Sequence, residues 1–193
     1  MEELVITKLK MIYAPLMSVD DKVYKKLAPY LQYKTYPENT ILKNFGEVET
    51  SARLIVDGVI CQYQLDNKGN EYATKVYYNG QNAFDLISYT DQQVSDTLII
   101  TKTEVEIIEL SKKNEEELLR HVPEVISLAI KINHLIIKEQ QKWEQLLKLP
   151  KQVAYDTFLG LHKNLGTCLK EKDLQDLLGI SRAHFSRIRA KKT

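Results

Sequence analysis

The spacing of apolar residues along the chain changes period twice. Residues 2 to 31 follow a helical rhythm, clearest in SVDDKVYKKLAPYL (Ser18 to Leu31). There Val19, Val23, Leu27 and Leu31 recur in four-residue steps behind a Ser or Asp able to cap a helix. From Tyr33 to Leu110 the text is rich in Val, Ile, Thr and Tyr, and Pro37-Glu38-Asn39, Asp57-Gly58, Asn67-Lys68-Gly69-Asn70 and Asn79-Gly80 cut it into short strands. That spacing predicts a small antiparallel barrel or sandwich. Beyond Ser111 helical spacing returns, first around Asn114 to Arg120 with Ser111 or Asn114 as cap, then in one long run from Pro123 to Leu149.

Pro123 suits the first turn of a helix and Pro150 ends it, so the long run predicts a helix of about 27 residues, ~40 Å in length. Its apolar residues fill two adjacent rows. One heptad frame holds Ile126, Ala129, Asn133, Ile136, Gln140, Trp143 and Leu147; the row beside it holds Val125, Leu128, Ile132, Leu135 and Leu146. So wide a stripe can face the β region and a partner helix together. The polar Asn133 and Gln140 fit a dimer seam better than a dry monomer core.

The C-terminal part predicts a helix around Gln152 to Leu165, a break at Gly166-Thr167, a helix at Glu171 to Leu178 and a last helix from Ser181. Around Gly179, the residues Leu174, Leu178, Ile180, Phe185 and Ile188 share one inward face, as a helix-turn-helix requires. Ser181, Arg182, Ala183, Ser186, Arg187 and Ala190 are left outward, with Ser181 a natural N-cap. The stretch GISRAHFSRIRAKK (Gly179 to Lys192) carries five Arg or Lys and no acid, which suits a phosphate-lined groove. Gln175 stands where that motif usually has a small residue.

At 193 residues and 44% hydrophobic content, the chain can bury one good core, or a larger core with a small satellite domain, and a soluble globular protein is expected. The opening MEELVITKLK mixes charge into the place where a signal peptide needs an apolar segment, and no stretch approaches a membrane span. The expected location is the cytoplasm, with no membrane partner. A net charge of +1 does not announce nucleic acid, so the case rests on where the charge sits. Cys61 and Cys168 are too far apart for a metal or redox motif and read as free thiols. His121, His134, His162 and His184 all lie outside the β region, so metal chemistry of the kind small β-barrels host has no ligand cluster. Phosphate loops and nucleophile elbows are missing as well. No catalytic and no metal-binding residue is expected, and the chain reads as a binding protein and not an enzyme.

A β region, a long helix and LGISRAHFSRI near the end together resemble the Crp–Fnr family of bacterial transcription regulators over nearly the whole chain. YPENTILKNFG resembles that family's opening strand-turn-strand, VDGVICQY its glycine-containing hairpin, and YYNGQNAFDL the strand leading into its phosphate cassette. The resemblance implies an α+β fold. An N-terminal antiparallel β-roll (double-stranded β-helix) with flanking helices would occupy residues 1–121 as a cyclic-nucleotide-binding-like sensor domain. A dimerisation helix would occupy 122–149 and a helix-turn-helix DNA-binding domain 150–193. It further implies a homodimer through helix 123–149, double-stranded DNA as partner, and contact with RNA polymerase. DNA would be read by Ser181, Arg182, Ala183, His184, Ser186, Arg187 and Arg189, with Arg182 and Arg187 the principal contacts. Leu165 to Leu169 is too short for the family's β-hairpin wing, so the tail resembles the short Crp–Fnr-like proteins of Bacteroidetes.

The departures matter as much. Members that bind cyclic AMP carry a Gly-Glu pair and, about ten residues on, an Arg followed by a small hydroxyl residue. Here FDLISYTDQQVSDTLI (Phe84 to Ile99) has no arginine and places Asp91 and Asp96 where a phosphate needs a cation. Cyclic-nucleotide binding in the usual mode is therefore disfavoured and no cofactor is assigned. An effector pocket, if present, would draw on Phe84, Asp85, Leu86, Tyr63 and Tyr72, with Tyr77 and Tyr78 close in sequence. Redox sensing would need N-terminal cysteines, and the first sixty residues have none. Ala183 stands where cyclic-AMP receptor proteins commonly place a glutamate, so the half-site should differ from theirs. The rival reading, a cyclic-nucleotide or other small-ligand-binding protein with a degenerate tail, would predict weakened outward residues, yet the basic ones are intact.

Overall fold

Two helices open the chain, α1 (Glu2–Tyr13) and α2 (Asp21–Leu27), the second started by Asp20, whose carboxylate accepts the Lys22 amide at 2.8 Å. A 3-10 turn at Ala28–Tyr30 then hands the chain to the strands. The computed structural model describes residues 1–162 and 164–190.

Seven strands follow: β1 (Gln32–Tyr36), β2 (Ile41–Lys43), β3 (Glu47–Val48), β4 (Ser51–Asp57), β5 (Ile60–Leu65), β6 (Glu71–Tyr77) and β7 (Asn82–Ala83). A short helix α3 (Leu86–Asp91) precedes β8 (Val94–Ser95), β9 (Thr97–Thr101) and β10 (Val105–Ser111). All pairings are antiparallel: one sheet runs β1-β10-β4-β7, a second β2-β9-β5-β6, and β3 pairs with β8. Between β4 and β5, Gly58 holds φ at +103°, and a Cβ there would fall 2.5 Å from the Glu104 carbonyl, so only glycine fits the turn. The architecture is α+β, an antiparallel β core with flanking helices, as the patterning predicts.

The two larger sheets close on each other through Ile55, Ile60, Tyr77, Ala83, Ile99, Val105 and Ile107, which make the interior of the roll. Outside the first sheet, Leu54 and Ile108 meet α1, α2 and two further helices, α4 (Lys112–His121) and α5 (Val125–Lys148). Outside the second, Val59, Cys61, Tyr63, Ala73, Val76 and Leu98 join the C-terminal helices α6 (Lys151–Leu161), α7 (Leu165–Cys168), α8 (Glu171–Leu178) and α9 (Arg182–Ala190) in one continuous apolar cluster.

Three details depart from expectation. Pro123 and Glu124 form a turn ahead of α5, so this helix has 24 residues. On it, Ala129, Ile136 and Trp143 are half-buried, and Trp143 packs edge-on against Phe158 at 5.8 Å. The exposed stripe instead runs through Ile126, Ile130, Asn133, Ile137 and Gln140, with the three isoleucines 48, 51 and 54% exposed. The demand of the β core for apolar cover leaves the exposed stripe one row away from the frame read from spacing. Third, the break in the C-terminal segment falls at His162, whose extended backbone stops α6; Gly166 and Thr167 lie inside α7, because buried Leu165 draws that turn into the core. Among the described residues, no helix is long and apolar enough to cross a membrane.

Candidate nucleic-acid interface

At the start of helix α8 the Asp173 carboxylate accepts the Lys170 amide at 3.1 Å, back across the first turn, the N3-to-N-cap half of a capping box. It ends on Gly179 in the left-handed region at φ +59°, where the Ile180 amide reaches the Gln175 carbonyl at 2.9 Å. Lys151 Nζ donates to the Leu178 carbonyl at 2.7 Å, placing a cation at the negative end of the helix. After Ile180 and Ser181 α9 starts, and the His184 amide donates to Ser181 Oγ at 3.4 Å.

The inward set predicted from spacing comes together. Leu174, Leu178, Ile180, Phe185 and Ile188 are all buried in the outer cluster, and Tyr155 of α6 packs edge-on against Phe185 at 5.5 Å. Ser181, Arg182, Ala183, Ser186, Arg187 and Ala190 are all exposed, and His184 is half-buried. His184 and Arg187 line a shallow groove with Gln152. Arg189 is drawn aside into an ion pair with Glu171 of α8. Gln175, half-buried, lines a groove of about 640 Å³ between the β5–β6 hairpin and the α8–α9 turn. Lys191 and Lys192 lie outside the described residues. Between α6 and α8 the described residues form α7 and no strand.

One residue on this surface works against the helix that carries it. Arg182 occupies the first turn of α9, where the partial positive charge of the helix N-terminus disfavours a cation by roughly 0.3–1 kcal/mol, whereas Arg187 and Arg189 sit at the favourable end. Such a local conflict is expected where a side chain serves something other than folding.

The candidate effector residues are not brought together. Tyr63 points out of the roll into the cluster with the C-terminal helices, and Tyr72 lines the groove beside α8. Leu86 is half exposed, and Phe84 packs edge-on against Tyr89. Tyr77 does turn inward, donating to Gln62 Oε1 at 2.7 Å, while Tyr78 packs outside against His162. Alternation explains this, since a residue next to an inward one on a strand must face out. Among the described residues, no three His, Cys, Asp or Glu are grouped to hold a metal ion.

No family model matches the chain, and no curated protein matches it. Solved structures do. The c-di-GMP-responsive global regulator CLP of Xanthomonas campestris is 14% identical, covering 90% of this chain and 91% of that one at a TM-score of 0.62. A cyclic nucleotide-binding domain from Methylobacillus flagellatus KT is 15% identical, covering 83% and 84% at 0.61. The regulatory domain of Toxoplasma gondii PKA with cAMP is 14% identical, covering 67% of this chain at 0.52. This chain spans about half the length of that last one. The fold is that of cyclic-nucleotide-binding domains.

Within this cyclic-nucleotide-binding fold, the buried polar groups of the segment Phe84 to Ile99 are engaged by one another and by Lys43 and Glu49. Asp85 caps α3, accepting the Ser88 amide at 3.2 Å and Ser95 Oγ at 2.6 Å. Burial works to raise its pKa, but hydrogen bonds from Ser95, Ser88 and Thr97 prevail and hold the carboxyl below its ordinary value. Lys43 is buried, donating to the Thr97 carbonyl at 2.8 Å, and burial lowers its pKa. An arginine that sequence reading missed is here too: Arg53, 5% exposed. Its guanidinium is gripped by Glu49 in two bonds of 3.0 and 3.1 Å, while Glu49 Oε2 also accepts the Asp85 amide at 3.4 Å. The available signal was Glu49 and Arg53 four residues apart, both just ahead of the apolar run Leu54-Ile55-Val56 of β4. The charge of this cation is already matched by Glu49, with which a phosphate would have to compete.

Proposed function

We propose that the chain is a homodimeric, sequence-specific DNA-binding transcription regulator of the Crp–Fnr type, with α8 and α9 as its helix-turn-helix. The observation that carries this reading is the division of α9. Phe185 and Ile188 are locked in the core, so Ser181, Arg182, Ala183, Ser186 and Arg187 face solvent on a helix without an acid. Arg182, at an electrostatic cost to its own helix, adds support. The similarity to CLP, described as a global regulator, covers 90% of this chain and gives further support.

In this reading residues 1–121 form a sensor-like domain, 122–149 the dimer helix and 150–193 the reader. The exposed stripe Ile126, Ile130, Asn133, Ile137 and Gln140 repeats in steps of four and three, the spacing of a coiled-coil seam. Two α9 helices would then enter successive major grooves of a near-palindromic site, about one helical turn apart. Ser181, Arg182, Ala183, His184, Ser186, Arg187 and Arg189 form the contact surface, in the cytoplasm, with RNA polymerase as a further partner and no catalytic role.

Selection of genomic fragments by the purified protein at stated salt tests DNA reading and yields the site at once. Arg187→Ala should then weaken binding by about 1–3 kcal/mol and relax preference at one base. Full affinity and unchanged specificity in that variant would defeat the reading. Small-ligand binding is a second reading, favoured by a fold shared with a domain solved with cAMP. A thermal-shift screen of cyclic nucleotides and metabolites decides it, with no shift expected for cyclic AMP because Arg53 is engaged by Glu49.

A further inference from the structure

The joint between the roll and the reader contains a small, directional set of polar contacts inside an otherwise apolar cluster. Lys102 lies in the β9–β10 turn, whose own position is set by two hydrogen bonds: the Lys102 amide to the Val59 carbonyl at 2.8 Å, and the Val59 amide to Thr103 Oγ1 at 2.9 Å. From there Lys102 Nζ stands 4.9 Å above the Tyr63 ring and 3.5 Å from Asp173 Oδ2. The two side chains are only 10 and 7% exposed. The same Asp173 carboxylate starts α8 by accepting the Lys170 amide. One turn on, Asp176 Oδ2 accepts the Ala73 amide at 3.2 Å, on the edge strand β6, and Lys172 Nζ at 3.1 Å. Lys172 in turn donates to the Glu71 carbonyl.

Apolar residues of the same volume would hold α8 against the roll at no loss of stability, because burying two charges costs about what their attraction returns. What ionic and hydrogen-bonded contacts add is direction. The tie also reaches α9, since α8 and α9 share one packed core across Gly179, and a rotation of α8 swings Arg182 and Arg187 with it.

We infer that Lys102 and Asp173, assisted by Asp176, are positioning residues. They set the angle at which α9 projects from the roll, and hence the separation of half-sites a dimer accepts, without reading any base. This rests on the DNA-reading function proposed above and deepens it.

The test is selection from a library of double-stranded DNA in which paired half-sites are separated by spacers of every length over one helical turn. The natural chain, Lys102→Met, Asp173→Asn and Lys102→Arg are compared. Asp173→Asn keeps an oxygen for the Lys170 amide and removes only the charge. The natural chain and Lys102→Arg should select one spacing. Lys102→Met and Asp173→Asn should recover the same half-site bases while the preference for that spacing over its neighbours falls roughly tenfold. Unchanged spacing preference in folded variants overturns the inference, as does a change of bases along with spacing. If the buried variants do not fold, Asp176→Ala on the outer rim carries the same test with the same two outcomes. A natural chain that selects no DNA defeats the DNA-reading function itself, a result distinct from a natural chain that selects a spacing its variants retain.

Discussion

On β5, Ile60 and Gln62 point into the roll while Cys61 and Tyr63 point out to the C-terminal helices, so one four-stranded sheet serves two interiors. The outer interior is apolar, with the Lys102–Asp173 contact its main ionic feature. The inner one is apolar at its centre but holds Lys43, Glu49, Arg53, Asp85 and Thr97 toward α3. The outer face is organised by packing and therefore resists change of shape. Toward α3 the inner face is organised instead by charge and hydrogen bonds, and removing one member there leaves another stranded.

The largest effects should separate these two regimes. Phe158→Ala, at a fully buried site of the outer cluster, should cost about 3–5 kcal/mol. Because that cluster contains both strands and helices, Trp143 fluorescence and far-ultraviolet dichroism should follow one transition; two separated transitions would break the idea of a shared core. Arg53→Met should cost a similar 3–5 kcal/mol by leaving Glu49 charged and buried, whereas Arg53→Met combined with Glu49→Leu should recover most of it. Failure of the double variant to recover would place the inner face in the packing regime too.

Alkaline stability comes next. Burial pushes the Cys61 thiol from 9.0 up to about 12 and the Tyr13 phenol from 10.0 up to about 12, and it raises Tyr63 and Tyr77 in the same direction. The unfolded chain therefore releases these protons before the folded one does. Stability is fully present below about pH 9 and is lost as pH rises from there towards about 12. Urea midpoints measured across that window should fall steadily, and Cys61→Ala should flatten the lower part of the fall.

Gly179→Ala forces a Cβ into a left-handed position and should cost about 1–2 kcal/mol, with the loss confined to the α8–α9 end in hydrogen exchange. The smallest effect on stability is also the sharpest on function. Arg182→Glu places an anion in the first turn of α9 and should stabilise by about 0.3–1 kcal/mol while abolishing DNA binding. Loss of both together would mean that Arg182 serves the fold.

How much was legible in the sequence depended on the range of the interaction. The inward and outward residues of α9 were readable because 3.6 residues per turn, a glycine stop and a serine cap are local properties. The two-row stripe of α5 was readable as a stripe, but not which of its rows is exposed. Which row is left exposed depends on what the β core covers, and Trp143 went inward to meet Phe158.

By itself, the sequence determined the order of helices and strands, the glycine at each tight turn and the face on which Arg182 and Arg187 lie. These follow from backbone sterics and side-chain period over a few residues. Only the tertiary structure decided that Tyr63 faces out, that Arg53 is claimed by Glu49 beside Asp85, and that Lys102 meets Asp173 across the joint. A period of two says that neighbours on a strand face opposite ways but not which way is in. That choice is made by chain segments far apart in sequence, each seeking cover for its apolar face and partners for its buried charge.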